Sequence, residues 1–119
     1  MALEELKKEM IHYGNLLIEK GLVTGTGGNI SVRVPGENAF LITPSGIPYP
    51  EIKLEDVVMM NFDGKKLSGQ RNPSIERNMH RSIYIARPDV NAVIHTHAIY
   101  ASAIAATRQD FPAILDAFV

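Results

Sequence analysis

Leu3, Leu6, Met10, Tyr13 and Leu17 recur at steps of three and four, a stripe that predicts an amphipathic helix near the start of the chain. Gly21 follows Glu19-Lys20 where a helix C-cap belongs. Beyond the loop Thr24-Gly25-Thr26-Gly27-Gly28-Asn29, the alternation in Ile30-Ser31-Val32-Arg33-Val34 predicts a half-buried strand. Pro35-Gly36-Glu37-Asn38 reads as a turn, and Ala39-Phe40-Leu41-Ile42 as a buried strand returning antiparallel to it. The stretch 43–50 is too rich in proline for regular structure. Leu54-Glu55-Asp56 is a short helical turn, 57–62 a strand, and Asp63-Gly64 a hairpin turn into Lys65-Lys66-Leu67. A helix is expected over 75–86 with Ser74 as its N-cap, stopped by Arg87-Pro88-Asp89. A strand over 90–95 and an alanine-rich helix over 98–107 follow.

The last residues, 112–119, resume an apolar, strand-like run and stop with no later element to cover Ala113-Ile114-Leu115. The chain therefore reads as the front part of a larger domain, or as a domain completed by partner chains. With 119 residues and 45% hydrophobic content it can bury one core. A formal net charge of −1 with interspersed charges argues against a nucleic-acid or anionic-membrane surface. No run is long enough to span a bilayer and residues 1–9 are charged rather than signal-like, so a cytoplasmic protein is expected. Without cysteine there is neither a disulfide framework nor a thiolate metal site, and any transition metal must use His, Asp or Glu.

His95-Thr96-His97 closes the apolar run 90–94. In a strand, side chains two residues apart share a face, so both imidazoles could meet one metal ion or simply cap the strand. The Thr26-Gly27-Gly28-Asn29-Ile30-Ser31 segment can wrap an anion, since glycines allow a nest of inward N–H groups. It can equally be a plain helix-to-strand connection. It is no dinucleotide or P-loop signature, for it lacks Gly-Lys-Ser/Thr and runs from helix to strand. Ser45, Gly46 and Ser74 could close the same cradle if their loops gather at one end of the sheet. Glu76 sits at a helix start, where a carboxylate is favoured in any case. His80, one turn on, is a third metal ligand, a partner to one, or a structural histidine. His12 carries no functional argument. Arg77, Arg81 and Arg87 read as a solvated face or subunit contacts, and Tyr84 and Tyr100 as packing residues.

Taken together, Gly-Thr-Gly-Gly-Asn-Ile-Ser-Val-Arg (25–33), Leu-Ile-Thr-Pro-Ser-Gly-Ile-Pro-Tyr (41–49), Pro-Ser-Ile-Glu (73–76) and Arg-Pro-Asp-Val-Asn-Ala-Val-Ile-His-Thr-His-Ala (87–98) resemble the class II aldolase/adducin family. The resemblance runs over essentially the whole chain. It implies a three-layer α/β/α sandwich around a mixed, mostly antiparallel sheet, here incomplete at its C-terminus. It further implies that Gly28, Asn29, Ser45, Gly46 and Ser74 hold the phosphate of a sugar phosphate. By the same likeness His95 and His97 bind Zn²⁺, one per subunit, and Glu76 is the acid/base residue that can ligate the metal when substrate is absent. Family enzymes are typically symmetric homotetramers with active sites at subunit interfaces. Two departures stand out: Ile75 occupies a position that commonly holds a second serine, and the family's third zinc histidine would lie beyond Val119.

The activity so implied is aldol cleavage of a ketose 1-phosphate, such as L-fuculose 1-phosphate, to dihydroxyacetone phosphate and an aldehyde. No motif places a lysine for a Schiff base, which disfavours the covalent route. The rivals are a same-fold sugar-phosphate epimerase, a methylthioribulose-1-phosphate dehydratase, and a non-catalytic adducin-like binding module.

Overall fold

The computed structural model describes residues 2–113, and the expected apolar run at 114–119 lies outside them. Helix α1 (Leu3–Glu19) forms on the predicted stripe, burying Leu6, Met10 and Leu17. Leu3 and Tyr13 fall outside it and stay exposed. Gly14 takes the inward place instead, because the Tyr49 ring lies against it where any Cβ would collide with the ring. The helix ends as expected of a left-handed glycine cap. Gly21 has φ +70°, its N–H donates to Ile18 O at 3.1 Å, and Leu22 N–H donates to Leu17 O at 2.9 Å.

Five strands follow: β1 (Asn29–Arg33), β2 (Ala39–Ile42), β3 (Val58–Asn61), β4 (Lys66–Ser68) and β5 (Ala92–His95). They form one sheet in the order β4-β3-β2-β1-β5, and every described pairing is antiparallel. The β3–β4 hairpin turns at Gly64, φ +88°, with the Asn61 side-chain oxygen accepting from the N–H groups of Asp63 and Lys65. Tyr49–Glu51 is a 3₁₀ turn rather than irregular loop, since the fixed φ of proline suits such a turn at its start.

The central strand shows how the layers arise. All four residues of β2 are buried, and alternate side chains enter opposite cores. Ala39 and Leu41 join Leu6, Met10, Leu17 and Ile30 beneath α1. Phe40 and Ile42 join Val58, Met60 and Tyr84 beneath helix α2 (Arg77–Ala86). This is the expected α/β sandwich, with helices on both faces of the sheet.

Helix α2 begins at Arg77, two residues later than the sequence predicts, with Glu76 at its N-cap position. Ser74 Oγ instead accepts from Glu76 N–H at 3.2 Å, a local turn that sets the carboxylate ahead of the helix. Arg81 is not part of a solvated face. It is half-buried, and its Nε–H donates to Phe62 O across the hairpin. Helix α3 (Ile99–Ala106) buries no residue among those described, and Tyr100, expected to pack, is 85% exposed.

Candidate active site

Strand β1 starts one residue earlier than the alternation suggests, and that residue is Asn29. It pairs with His95 across the β1–β5 ladder, which brings the glycine loop and the His-Thr-His segment to the same end of the sheet. Two further loops are stitched there. Ser45 N–H donates to Asn72 O at 2.9 Å and Ser74 N–H to Thr43 O at 3.1 Å, around a bridge between Pro44 and Pro73. The gathering of three loops expected from the sequence is thus present. Gly28, Asn29, Ser45, Gly46, Ser74, Glu76 and His97 line one cavity of about 250 Å³.

Close backbone approach explains the glycines. Gly28 has φ +70°, and a Cβ there would stand 2.5 Å from His95 O. At Gly27 a Cβ would stand 2.9 Å from His97 Nδ1. Residues 27–28 therefore need to be small for the loop to lie against the histidine segment, independently of any ligand. Gly46, φ +71°, has open space around it and is conformational in origin.

Glu76 is the hub. Its Oε2 accepts from Asn29 Nδ2–H, and lies 2.6 Å from His95 Nδ1. Oε1 takes no hydrogen bond from the described residues. The donated Asn29 hydrogen bond, then that of His95, hold the carboxyl below its ordinary value against the opposing effect of burial. The group is ionised at neutral pH, with one oxygen clamped and the other available.

His95 and His97 sit edge-to-face, ring centroids 4.9 Å apart and planes at 73°. Their proximity does not come from one strand face, because β5 ends at His95. His97 lies in the following loop, held by its N–H to Leu22 O at 2.8 Å. Among the described residues no three His, Asp or Glu side chains converge on a common point. The donor set still suits zinc in kind: two imidazoles, with His95 Nδ1 against a carboxylate, the contact that orients a metal-binding imidazole and leaves Nε2 for the metal.

His80 is not a metal-ligand candidate in this geometry. It is fully buried, with Nε2 against Asn29 Oδ1 and Nδ1 2.6 Å from Ser31 Oγ, so both ring nitrogens are engaged. Burial, and then the neighbouring His95, push its pKa down to about 4. Ser31 Oγ lies in turn 2.7 Å from Tyr84 Oη. Tyr84 is thus a packing residue with a polar task, and Ser31, read from the sequence as a strand residue and a donor of the anion-wrapping segment, is fully buried against His80 and Tyr84 instead. The signal that could have found them is the four-residue step Glu76, His80, Tyr84 on a helix opposite the two-residue step Asn29, Ser31 on a strand.

The chain is similar over nearly all its length to known proteins. A model of the class II aldolase and adducin N-terminal domain matches residues 8–118. A 5-deoxy-D-ribulose 1-phosphate aldolase of Bacillus thuringiensis is 44% identical over 114 residues, covering 96% of this chain and 54% of that protein. The L-fuculose phosphate aldolase of Escherichia coli is 37% identical, over 96% of this chain and 52% of its own length. A solved L-fuculose 1-phosphate aldolase superposes with a TM-score of 0.87 at 44% identity, over 92% of this chain and 51% of that one. An L-ribulose-5-phosphate 4-epimerase of Salmonella paratyphi B is 33% identical over 94% of this chain and 49% of that protein. The chain spans about half the length of the curated relatives it matches. It belongs to the class II aldolase and adducin N-terminal domain family.

Proposed function

We propose that this family member carries the phosphate-holding and proton-transferring part of a class II aldolase centre. The reaction is cleavage of a ketose 1-phosphate to dihydroxyacetone phosphate and an aldehyde. The observation that carries this reading is Glu76 Oε2 fixed by Asn29 and His95 beside a glycine-lined cavity, while Oε1 takes no hydrogen bond from the described residues.

Breaking the C3–C4 bond leaves its electron pair on C3 as an enediolate, while the C4 hydroxyl gives up its proton to become the aldehyde carbonyl. The ionised Glu76 carboxylate takes up a proton on its unclamped oxygen and delivers it to C3, or removes one from C3 in the synthetic direction. His95 and His97 are the residues that would hold zinc, one per subunit, and the ion supplies Lewis-acid stabilisation of the oxygens that gain charge. The N–H groups of Gly28 and Gly46 and the hydroxyls of Ser45 and Ser74, with the second N–H of the Asn29 amide, anchor the phosphate. Binding energy spent on that remote group holds C3 against the carboxylate. Ile75, 81% exposed at the cavity rim, offers no hydroxyl and leaves its share of the phosphate to these neighbours. A cytoplasmic homotetramer completes this reading.

Two of the named aldolases carry a ketose 1-phosphate in their names, of the 5-deoxyribulose or fuculose type, whereas the epimerase carries a ketose 5-phosphate. The epimerase reading keeps the fold and predicts no released dihydroxyacetone phosphate. The test uses the zinc-loaded chain with dihydroxyacetone phosphate in deuterated water. Deuterium should enter the hydroxymethyl carbon, and Glu76→Gln should slow this about 10²–10⁴-fold. Equal exchange in wild type and variant would remove Glu76 from the role.

A further inference from the structure

Four buried side chains behind the cavity form a hydrogen-bonded line whose direction follows from chemistry alone. A carboxylate only accepts, so Asn29 must turn its Nδ2–H towards Glu76 and its Oδ1 away. Asn29 Oδ1 also only accepts, so His80 must donate to it from Nε2. A neutral imidazole protonated at Nε2 has a bare Nδ1, which must accept from the Ser31 hydroxyl. Ser31 Oγ, its own proton spent, then accepts from the Tyr84 hydroxyl. Each link leaves the next no choice.

The two elements are matched for such a line. Four residues of helix rise about 6 Å, and two residues of strand span about 6.6 Å. The N-cap position and helix α2 therefore lay Glu76, His80 and Tyr84 beside Asn29 and Ser31 of β1 at nearly equal intervals. Arg33 extends the strand row: its guanidinium stands 4.9 Å from the Tyr84 ring centroid and donates to Tyr84 O at 2.9 Å, closing the far end.

We infer that His80 is a positioning residue, a one-tautomer relay set at its Glu76 end, whose Nε2–H in turn keeps the Asn29 amide facing the Glu76 carboxylate. All protons in the line point towards Glu76, so it fixes Oε2 and favours the ionised carboxylate. The inference rests on the reading of Glu76 as the proton-transferring group, and it adds three residues that touch neither substrate nor metal.

The experiment is ¹⁵N imidazole spectroscopy of the full chain at neutral pH. His80 should show a protonated Nε2, a bare Nδ1, and a slowly exchanging Nε2–H proton. In Glu76→Gln the amide now at 76 can face either end of Asn29, and the single tautomer should be lost to a mixture. Tyr84→Phe removes only the far donor, and the wild-type tautomer should persist. An Nδ1–H or doubly protonated His80 in the wild type would overturn the inference, as would a tautomer indifferent to Glu76→Gln. A tautomer that follows the charge at 76 while deuterium exchange does not would sink the catalytic reading and leave the relay standing.

Discussion

The body of the sheet around β2 and its β5–α3 flank are built on opposite terms. In the body every apolar residue of β2 is buried between α1 on one face and α2 on the other. On the flank Ile94 is half exposed, Ile99 is 74% exposed and α3 buries nothing among the described residues. The candidate site straddles this boundary. Asn29, Ser74 and His80 are buried within the body, whereas His95 and His97 stand on the flank. The contrast teaches that proton handling and metal holding have different structural support. Glu76 is tied to a closed core through Asn29, while the imidazoles owe their placement to one ladder pair, one loop hydrogen bond and the His95 contact with Glu76 itself.

The sharpest way to break the contrast is a cavity in the body. Phe40 is fully buried, its ring centroid 5.4 Å from Tyr84 and 6.1 Å from Phe62. Phe40→Ala should cost about 3–5 kcal/mol, read as a lowered urea midpoint at unchanged slope. A loss below about 1 kcal/mol would mean that the body is no better packed than the flank.

A smaller effect comes from pH. His80 has its pKa depressed to about 4 by burial and by His95, while Glu76 pulls it upward. The unfolded chain protonates this histidine near its ordinary value of 6.5 and the folded chain does not. Stability is therefore fully present above about pH 6.5 and falls as the pH drops towards 4, by up to about 3 kcal/mol from this group. The depressed carboxyls of Glu76, Asp56 and Asp89 lose stability at lower pH as well. Comparison with His80→Gln isolates the histidine share, and the variant's stability should depend less steeply on pH between 6.5 and 4. Parallel curves for the two proteins would show that His80 titrates normally in the fold.

How much of this was legible in the sequence divides along the same boundary. The α1 stripe, the Gly21 cap, the Asp63-Gly64 hairpin and the strand order in the chain are local patterns, and local physics decides them. Glu76 and the glycine loop were legible as candidates because helix starts and positive-φ turns leave chemical marks. The helix start at Arg77 was not, since the Ser74 hydroxyl can cap a helix or close a turn and only the stitched loops decide between them. Gly14 was hidden because its reason is Tyr49, a residue of another element. His80 read three ways because a buried relay and a metal ligand demand the same residue type. Only its partners, Asn29 and Ser31 on a strand about 50 residues away in sequence, tell them apart. Tyr100 misled for the opposite reason, as an aromatic in an alanine-rich helix suggests packing whether or not a neighbour is there.

The flank offers the smallest effect, and the most discriminating one. Tyr100 and Ile99 reach no apolar neighbour that covers them among the described residues. Their replacement removes no buried contact. Tyr100→Ser should change unfolding free energy by no more than about 0.5 kcal/mol, beyond a small helix-propensity cost. The measurement is the same urea titration used for Phe40→Ala, repeated at several protein concentrations. A penalty above about 1 kcal/mol that is constant with concentration would place Tyr100 inside a packed core of the single chain. A penalty that grows with concentration would mean that another copy covers α3 in solution, because association stabilises by mass action. Either result would erase the difference between the two regions. A near-zero change would leave His95 and His97 on an uncovered flank, with Glu76 held from the other side.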